Sequence, residues 1–296
     1  MGWTPRLGNR MRQVSGRVGR FASHLLGRPA VLVMTVVIAV AVGLALTSPT
    51  AQGAARLAVR LASAVKSLPR RAPSAPAALP NGRVFNGNPA VGALFTMNGS
   101  HLGSHSCTAS VVASPKGDLV ITAAHCVSGS GQYAFVPGYR NGSAPYGIWK
   151  VSRVFVARAW ATSANVNYDV AFLVVGQAGN GQSIQDVTGA ERLGTGWGPV
   201  QAVQVIGYPA STNWPITCRA TTRAFGRDQI EFDCAGYTDG TSGGPFLAQV
   251  NPATGLGTVI GVIGGYEQGG STPSVSYSSR FGSAVAALYQ LAVAGS

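Results

Sequence analysis

The first 83 residues of this chain contain no aspartate or glutamate, although they carry 12 of its 22 lysines and arginines. The later residues hold 10 basic and all 9 acidic side chains, so the formal charge of +13 falls to +1 once the N-terminal stretch is set aside. The main body therefore lacks the clustered positive charge that a phosphate backbone requires, which argues against a nucleic-acid partner. No two cysteines are spaced C-x-x-C, so a structural zinc site is not expected. No other metal or cofactor motif is visible, and none is expected. No internal repeat is evident. Lysine is scarce beside arginine, alanine and glycine, a composition suggestive of a GC-rich bacterial genome.

What the N-terminus does contain is a basic flank followed by an apolar run. Arg6, Arg10, Arg12, Arg17, Arg20 and Arg28 precede Ala30–Thr47, 18 residues without a charge. This pattern reads as an export signal, and it is also just long enough to span a bilayer. Residues 1–28 are thus a basic region and 29–47 a signal or transmembrane segment. If the segment is not cleaved, residues 30–47 tether the chain to the membrane with its N-terminus in the cytoplasm. Residues 48–83, rich in Ala, Arg and Pro, read as a pro-segment or linker, with maturation expected near Arg71 or Arg83. Either reading places the rest outside the cytoplasm, secreted or anchored.

From Val84 the texture changes to short apolar runs separated by Gly, Pro, Asn and Ser. Candidate strands are 91–97, 106–113, 119–123, 133–136, 147–158 and 170–175. After a Gly-rich link at 176–198 they continue at 200–206, 216–224, 229–234, 245–250, 258–264 and 275–281. Six strands followed by six more predict an all-β domain over 84–296 made of two six-stranded antiparallel barrels. One convincing helix follows at 283–294. Ser283 is its expected cap, and Val285, Leu288, Leu291 and Ala292 are its expected buried face against the second barrel.

Three stretches carry chemistry. Gly236-Tyr237-Thr238-Asp239-Gly240-Thr241-Ser242-Gly243-Gly244-Pro245 sets one hydroxyl among small residues. Gly240 allows a backbone conformation closed to other residues. The N–H groups of Gly240 and Ser242 can then converge on one point, a layout for a nucleophile beside an oxyanion hole. Leu119–Cys126 is an apolar strand ending in His125, a base able to take the serine proton near neutral pH. Asn167–Leu173 puts Asp169 at the mouth of another apolar run, where its carboxylate can fix the imidazole tautomer. The other candidates are read as surface groups: Asp118 in a Pro-Lys-Gly-Asp turn, Asp186 in a polar loop, and His101 and His105 in a solvated loop.

Thr122-Ala123-Ala124-His125-Cys126, the Asp169 segment and Thr241-Ser242-Gly243-Gly244-Pro245, in that order, together resemble the trypsin/chymotrypsin-like serine proteases. The resemblance is nearest to their bacterial, glutamyl-endopeptidase-like branch. It runs from about Val84 to the C-terminus. It implies a two-barrel fold with His125 and Asp169 from the first barrel, Ser242 from the second, and substrate in the cleft between them. Of the three pairings four cysteines allow, it favours Cys107 with Cys126 and Cys218 with Cys234. Disulfides imply an oxidising compartment.

Three positions bear on specificity and activation. Thr241 stands where many animal relatives place an aspartate to hold a newly freed N-terminus. Ile263 stands where glutamyl-specific relatives carry a histidine. Gly236 stands where Lys/Arg-specific members hold an acid. The pocket is expected to be lined by Gly236, Tyr237 and Thr238 on one side and by Gly264 and Gly265 on the other. The resulting expectation is an exported serine endopeptidase acting on polypeptide as a monomer. The rival readings are a catalytically degenerate binding module on the same fold and a membrane-tethered envelope interaction protein.

Overall fold

A computed structural model of the chain describes residues 78–129, 131–176 and 180–296. The basic region, the apolar run and nearly all of the expected pro-segment lie outside the described residues. Among the described residues no helix is long and apolar enough to cross a membrane.

After a short strand β1 (Arg83–Val84), six strands form a closed barrel. They are β2 (Val91–Asn98), β3 (His101–Val112), β4 (Leu119–Thr122), β5 (Tyr133–Pro137), β6 (Trp149–Val156) and β7 (Ala171–Val175). Their order around the ring is β2-β3-β4-β7-β6-β5. Leu94, Ile121, Phe135, Phe172 and Leu173 are among its fully buried large side chains. The register of β4 on β7 brings two of the chemistry-bearing segments together. These strands run antiparallel with Thr122 opposite Ala171. The end of one strand and the start of the other therefore share one rim of the barrel. His125 comes three positions after Thr122 and Asp169 precedes Ala171 by two, so both project from that rim.

The second half departs from the expected single ring. A six-stranded sheet runs β1-β10-β9-β13-β14-β8, and a separate three-stranded sheet runs β11-β12-β15. The members are β8 (Arg192–Leu193), β9 (Ala202–Gly207), β10 (Ile216–Thr221), β11 (Arg223–Phe225), β12 (Gln229–Asp233), β13 (Pro245–Ala248), β14 (Thr258–Val262) and β15 (Val275–Ser279). All ladders are antiparallel except β14 on β8. Two local events open the ring. The strand expected over 216–224 breaks at buried Thr222, whose Oγ1 accepts from Gln201 N–H and donates to Pro199 O (3.0 and 2.8 Å). Between β14 and β15, a side chain substitutes for part of the ladder, with Val262 N–H donating to Ser278 Oγ at 2.9 Å. The Cys218–Cys234 disulfide ties the two sheets together where β10 and β12 lie side by side. The Cys107–Cys126 bridge joins β3 to the turn carrying His125.

Helix α1 (Arg158–Ser163) ends the strand expected over 147–158, and α2 (Ile184–Thr188) interrupts the Gly-rich link. Ser183 and Asp186 form a capping box on α2, which keeps the exposed Asp186 carboxyl below its usual range through the Ser183 hydroxyl and N–H. The C-terminal helix α3 (Ser283–Gly295) differs from expectation in three ways. Gly282, not Ser283, is its N-cap, and no side chain caps it. Leu291 is exposed while Val285, Leu288 and Ala292 are buried. The helix packs on the first barrel rather than the second: Tyr289 meets Phe172 edge-on and donates its hydroxyl to Ala113 O at 2.8 Å. A helix at the end of the second half thus crosses back and clamps the first.

Candidate active site

At the barrel rim, His125 sits in a single 3-10 turn, Ala124–Val127, directly after β4. Its Nδ1 lies 2.8 Å from Asp169 Oδ2, and its main-chain N–H donates to Asp169 Oδ1 at 2.9 Å. Gly265 N–H donates to Asp169 Oδ2 at 2.8 Å. Asp169 is fully buried, and three donors satisfy its two oxygens. The carboxylate therefore fixes both the orientation of the imidazole and the backbone it hangs from. Gln229 holds the loop before Asp169 by donating to Val166 O and Asn167 Oδ1, and it accepts from Tyr266 N–H.

Ser242 lies on the turn that leads into β13, half-buried. One first-barrel residue that sequence reasoning passed over, Thr108, anchors this turn. Its main-chain N–H donates to Ser242 O at 2.7 Å, and its Oγ1 donates to Gly240 O at 2.9 Å. The same Oγ1 accepts from Tyr208 N–H, and Thr108 O accepts from Thr122 Oγ1, both at 2.8 Å. Thr108 directly follows Cys107, which is bonded to Cys126, the neighbour of His125. That adjacency is the only sequence signal that could have pointed to it.

The glycines here have a steric cause. Gly243 has φ of +80°, and a Cβ on it would run into Thr108 O and Thr122 Oγ1. Gly240 has φ of +93°, and its missing Cβ faces Tyr208 O and Ala210 N. Thr241, Gly243 and Gly244 each donate to a main-chain carbonyl, whereas the N–H groups of Gly240 and Ser242 donate to none among the described residues. Two unpaired donors therefore flank Thr241 beside the hydroxyl. No hydrogen bond among the described residues joins the Ser242 hydroxyl to the imidazole. In such sites this contact commonly tightens only when substrate is bound.

A cavity of about 760 Å³ opens beside Ser242. Its lining includes Tyr237–Asp239 and Gly269–Pro273, with Ile263, Glu267 and Ser276 also contributing. Of the five residues expected to line it, Tyr237 and Thr238 do so. Gly236 instead backs onto Asn81, Gly264 packs against Asp169 and Ala123, and Gly265 lies against Gln229. Ile263 buries its side chain, and Thr241 donates its hydroxyl to Thr238 O at 2.7 Å. The cysteines at 107, 126, 218 and 234 are all in disulfides, so the one Cys/His cluster near His125 offers no free thiolate to a metal.

Two groups read as surface residues are not free in solvent. His105 is buried against Phe95 and Tyr139. Burial lowers its pKa, opposed by a backbone hydrogen bond with Thr212. Asp118 is half-buried with Oδ1 unpartnered, and burial raises its carboxyl. Neither lies among the residues that hold Ser242, His125 or Asp169.

A closed β-barrel presenting an imidazole–carboxylate pair, joined to a second β unit presenting a serine on a glycine-tight turn, defines a class of hydrolase fold. The family model described as Trypsin matches residues 84–282. The chain belongs to the trypsin family, a peptidase family of hydrolases, and its fold is that of the trypsin-like serine proteases. The protease Anisep from Arthrobacter nicotinovorans is 26% identical with a TM-score of 0.61, covering 72% of this chain and 99% of its own. A thermostable serine protease from an extremophilic microorganism is 24% identical with a TM-score of 0.61, covering 71% of this chain and 99% of its own. A Glu endopeptidase shares the fold at 15% identity and a TM-score of 0.57, covering 73% of this chain and 97% of its own. No curated protein matches the chain significantly.

Proposed function

We propose that this protein is an exported serine endopeptidase that cleaves polypeptides through an acyl-enzyme. The observation that carries the reading is the His125–Asp169 pair, its carboxylate fully buried, at the end of the strand whose Thr122 bonds Thr108, the residue that pins the turn of Ser242. With Asp169 accepting from Nδ1–H, the lone pair of His125 is on Nε2. Nε2 takes the Ser242 hydroxyl proton as Oγ adds to the scissile carbonyl carbon. The unpaired N–H groups of Gly240 and Ser242 receive the resulting oxyanion, each such donor being worth about 3–4 kcal/mol in the transition state. Collapse breaks the C–N bond, and His125 returns the proton to the leaving amine. Water, activated by the same imidazole, then hydrolyses the ester and restores Ser242. Peptide side chains enter the cavity lined by Tyr237–Asp239 and Gly269–Pro273. Residues 29–47 supply export, and they tether the enzyme if left uncleaved. The disulfides fit an extracellular site of action.

A fluorophosphonate probe should label the wild-type protein on Ser242, and Ser242→Ala should lose both labelling and peptide cleavage. Unchanged turnover in Ser242→Ala, or a wild-type protein inert to probe and peptides, overturns the reading.

A further inference from the structure

Residues 80–85 lie ahead of most of the domain, yet they are bound to the far side of the cavity wall beside Ser242. Ala235 N–H donates to Pro80 O and Gly82 N–H donates to Ala235 O, both at 2.8 Å. Arg83 and Val84 pair with Thr217 and Ile216 as an edge strand, and Phe85 N–H donates to Pro215 O at 3.2 Å. On the other side of the same stretch, Cys234 N–H donates to Ser274 O and Tyr237 N–H to Pro273 O, at 3.1 and 3.0 Å. Residues 234–237 therefore carry main-chain hydrogen bonds on both sides. One side is bonded to Pro273 and Ser274, and the other is occupied by residues 80–82. Gly236, at φ of +95°, presents its bare Cα to this segment, with the place of a Cβ 3.1 Å from Asn81 Oδ1. The Cys218–Cys234 disulfide fixes the same strand at its first residue.

We propose that residues 80–85 are a main-chain strap that positions residues 235–238, of which Tyr237 and Thr238 line the substrate cavity, so that the site assembles without a newly cut N-terminus. The inference rests on the proposed peptidase reading for its kinetic consequence, though not for its structural one. Main-chain hydrogen bonds from the interior of a chain need no free amine. The residue before the nucleophile is an uncharged threonine committed to Thr238 O, so it offers a terminal amine no carboxylate. Cleavage after Arg83 would cut the strap between its contacts with Ala235 and its ladder with Ile216, loosening the wall. A maturation cut compatible with this arrangement falls before Pro80. Pro80 and Gly82 are positioning residues here through their main-chain groups, since neither lines the cavity.

Two full-chain variants test the strap. Gly82→Pro removes the N–H that bonds Ala235. Hydrogen exchange over residues 229–240 should then speed up by at least roughly tenfold at the Ala235 and Tyr237 amides. KM for a peptide substrate should rise about tenfold with kcat changed by less than about threefold. Labelling by a small fluorophosphonate that leaves the cavity empty should be retained. Arg83→Gln leaves every main-chain contact in place, and it should keep kcat/KM within about twofold of wild type. Unchanged exchange protection in Gly82→Pro overturns the strap, as does loss of activity in Arg83→Gln. Should the wild-type protein fail to label at all, the peptidase reading falls, while the exchange measurement still decides whether the strap holds the wall.

Discussion

Glu191 is fully buried in the link between the two halves of the domain, an unusual place for a carboxyl group. Its main chain is fixed to the first barrel: Glu191 N–H donates to Val111 O and Ala113 N–H donates to Glu191 O, both at 2.9 Å. Its side chain reaches the second half, where Oε2 accepts from Gly257 N–H while Oε1 has no partner among the described residues. Burial pushes the carboxyl up from 4.5 to about 7, opposed by the Gly257 hydrogen bond. A difference of that size corresponds to roughly 3 kcal/mol of preference for the protonated form. The folded state thus binds this proton more tightly than the unfolded chain. The associated stability is fully present below about pH 4.5 and is lost as pH rises toward and through about 7. Glu191→Gln cannot titrate, so the wild-type protein should lose roughly 3 kcal/mol relative to the variant between about pH 4.5 and pH 8. His105, with its lowered pKa, has the opposite sign and costs stability as pH falls, but it cancels in the difference between the two proteins. The assay is denaturant unfolding of both proteins, disulfides intact, at about pH 4.5, 6 and 8. A wild-type-minus-variant difference that stays flat across this range would refute the buried-proton account.

The other predictions are more direct. Asp169→Asn should keep the fold while kcat on a peptide falls by about 10⁴-fold, because an amide cannot enforce the same tautomer; a loss below about tenfold would remove Asp169 from the proposed triad. Thr108→Val keeps the shape but strips the links to Gly240 O and Tyr208 N–H. It should cost about 1–3 kcal/mol in denaturant unfolding and lower kcat, and Thr108→Ser should recover most of both. Leu288→Ala should destabilise by about 2–5 kcal/mol and Leu291→Ala by less than about 0.5, since only the first is buried. Equal losses would mean that α3 docks by a different face.

Local pattern was enough for most elements of this fold. Apolar runs bounded by Gly and Pro marked most of the longer strands closely, because a strand's periodicity is carried by its own residues. The strands expected over 147–158 and 216–224 are longer than those that form. The first stops at Val156, where the chain turns into the helix Arg158–Ser163. In the second, a buried hydroxyl at Thr222 redirects the ladder. The helix Ile184–Thr188, begun by the Ser183–Asp186 capping box, lies within the stretch read as a Gly-rich link.

By itself, the sequence determined the succession of strands, the glycine-tight turn around Ser242 and the three chemistry-bearing segments, since each is a property of a few neighbouring residues. Tertiary structure decided which of the expected pocket residues reach the cavity and that α3 crosses to the first barrel. It also buried His105 and Glu191 and laid residues 80–85 along the 235–238 wall. Those outcomes depend on groups far apart in the chain coming to share one dielectric environment and one set of hydrogen-bond partners. No local stretch of the chain encodes that sharing.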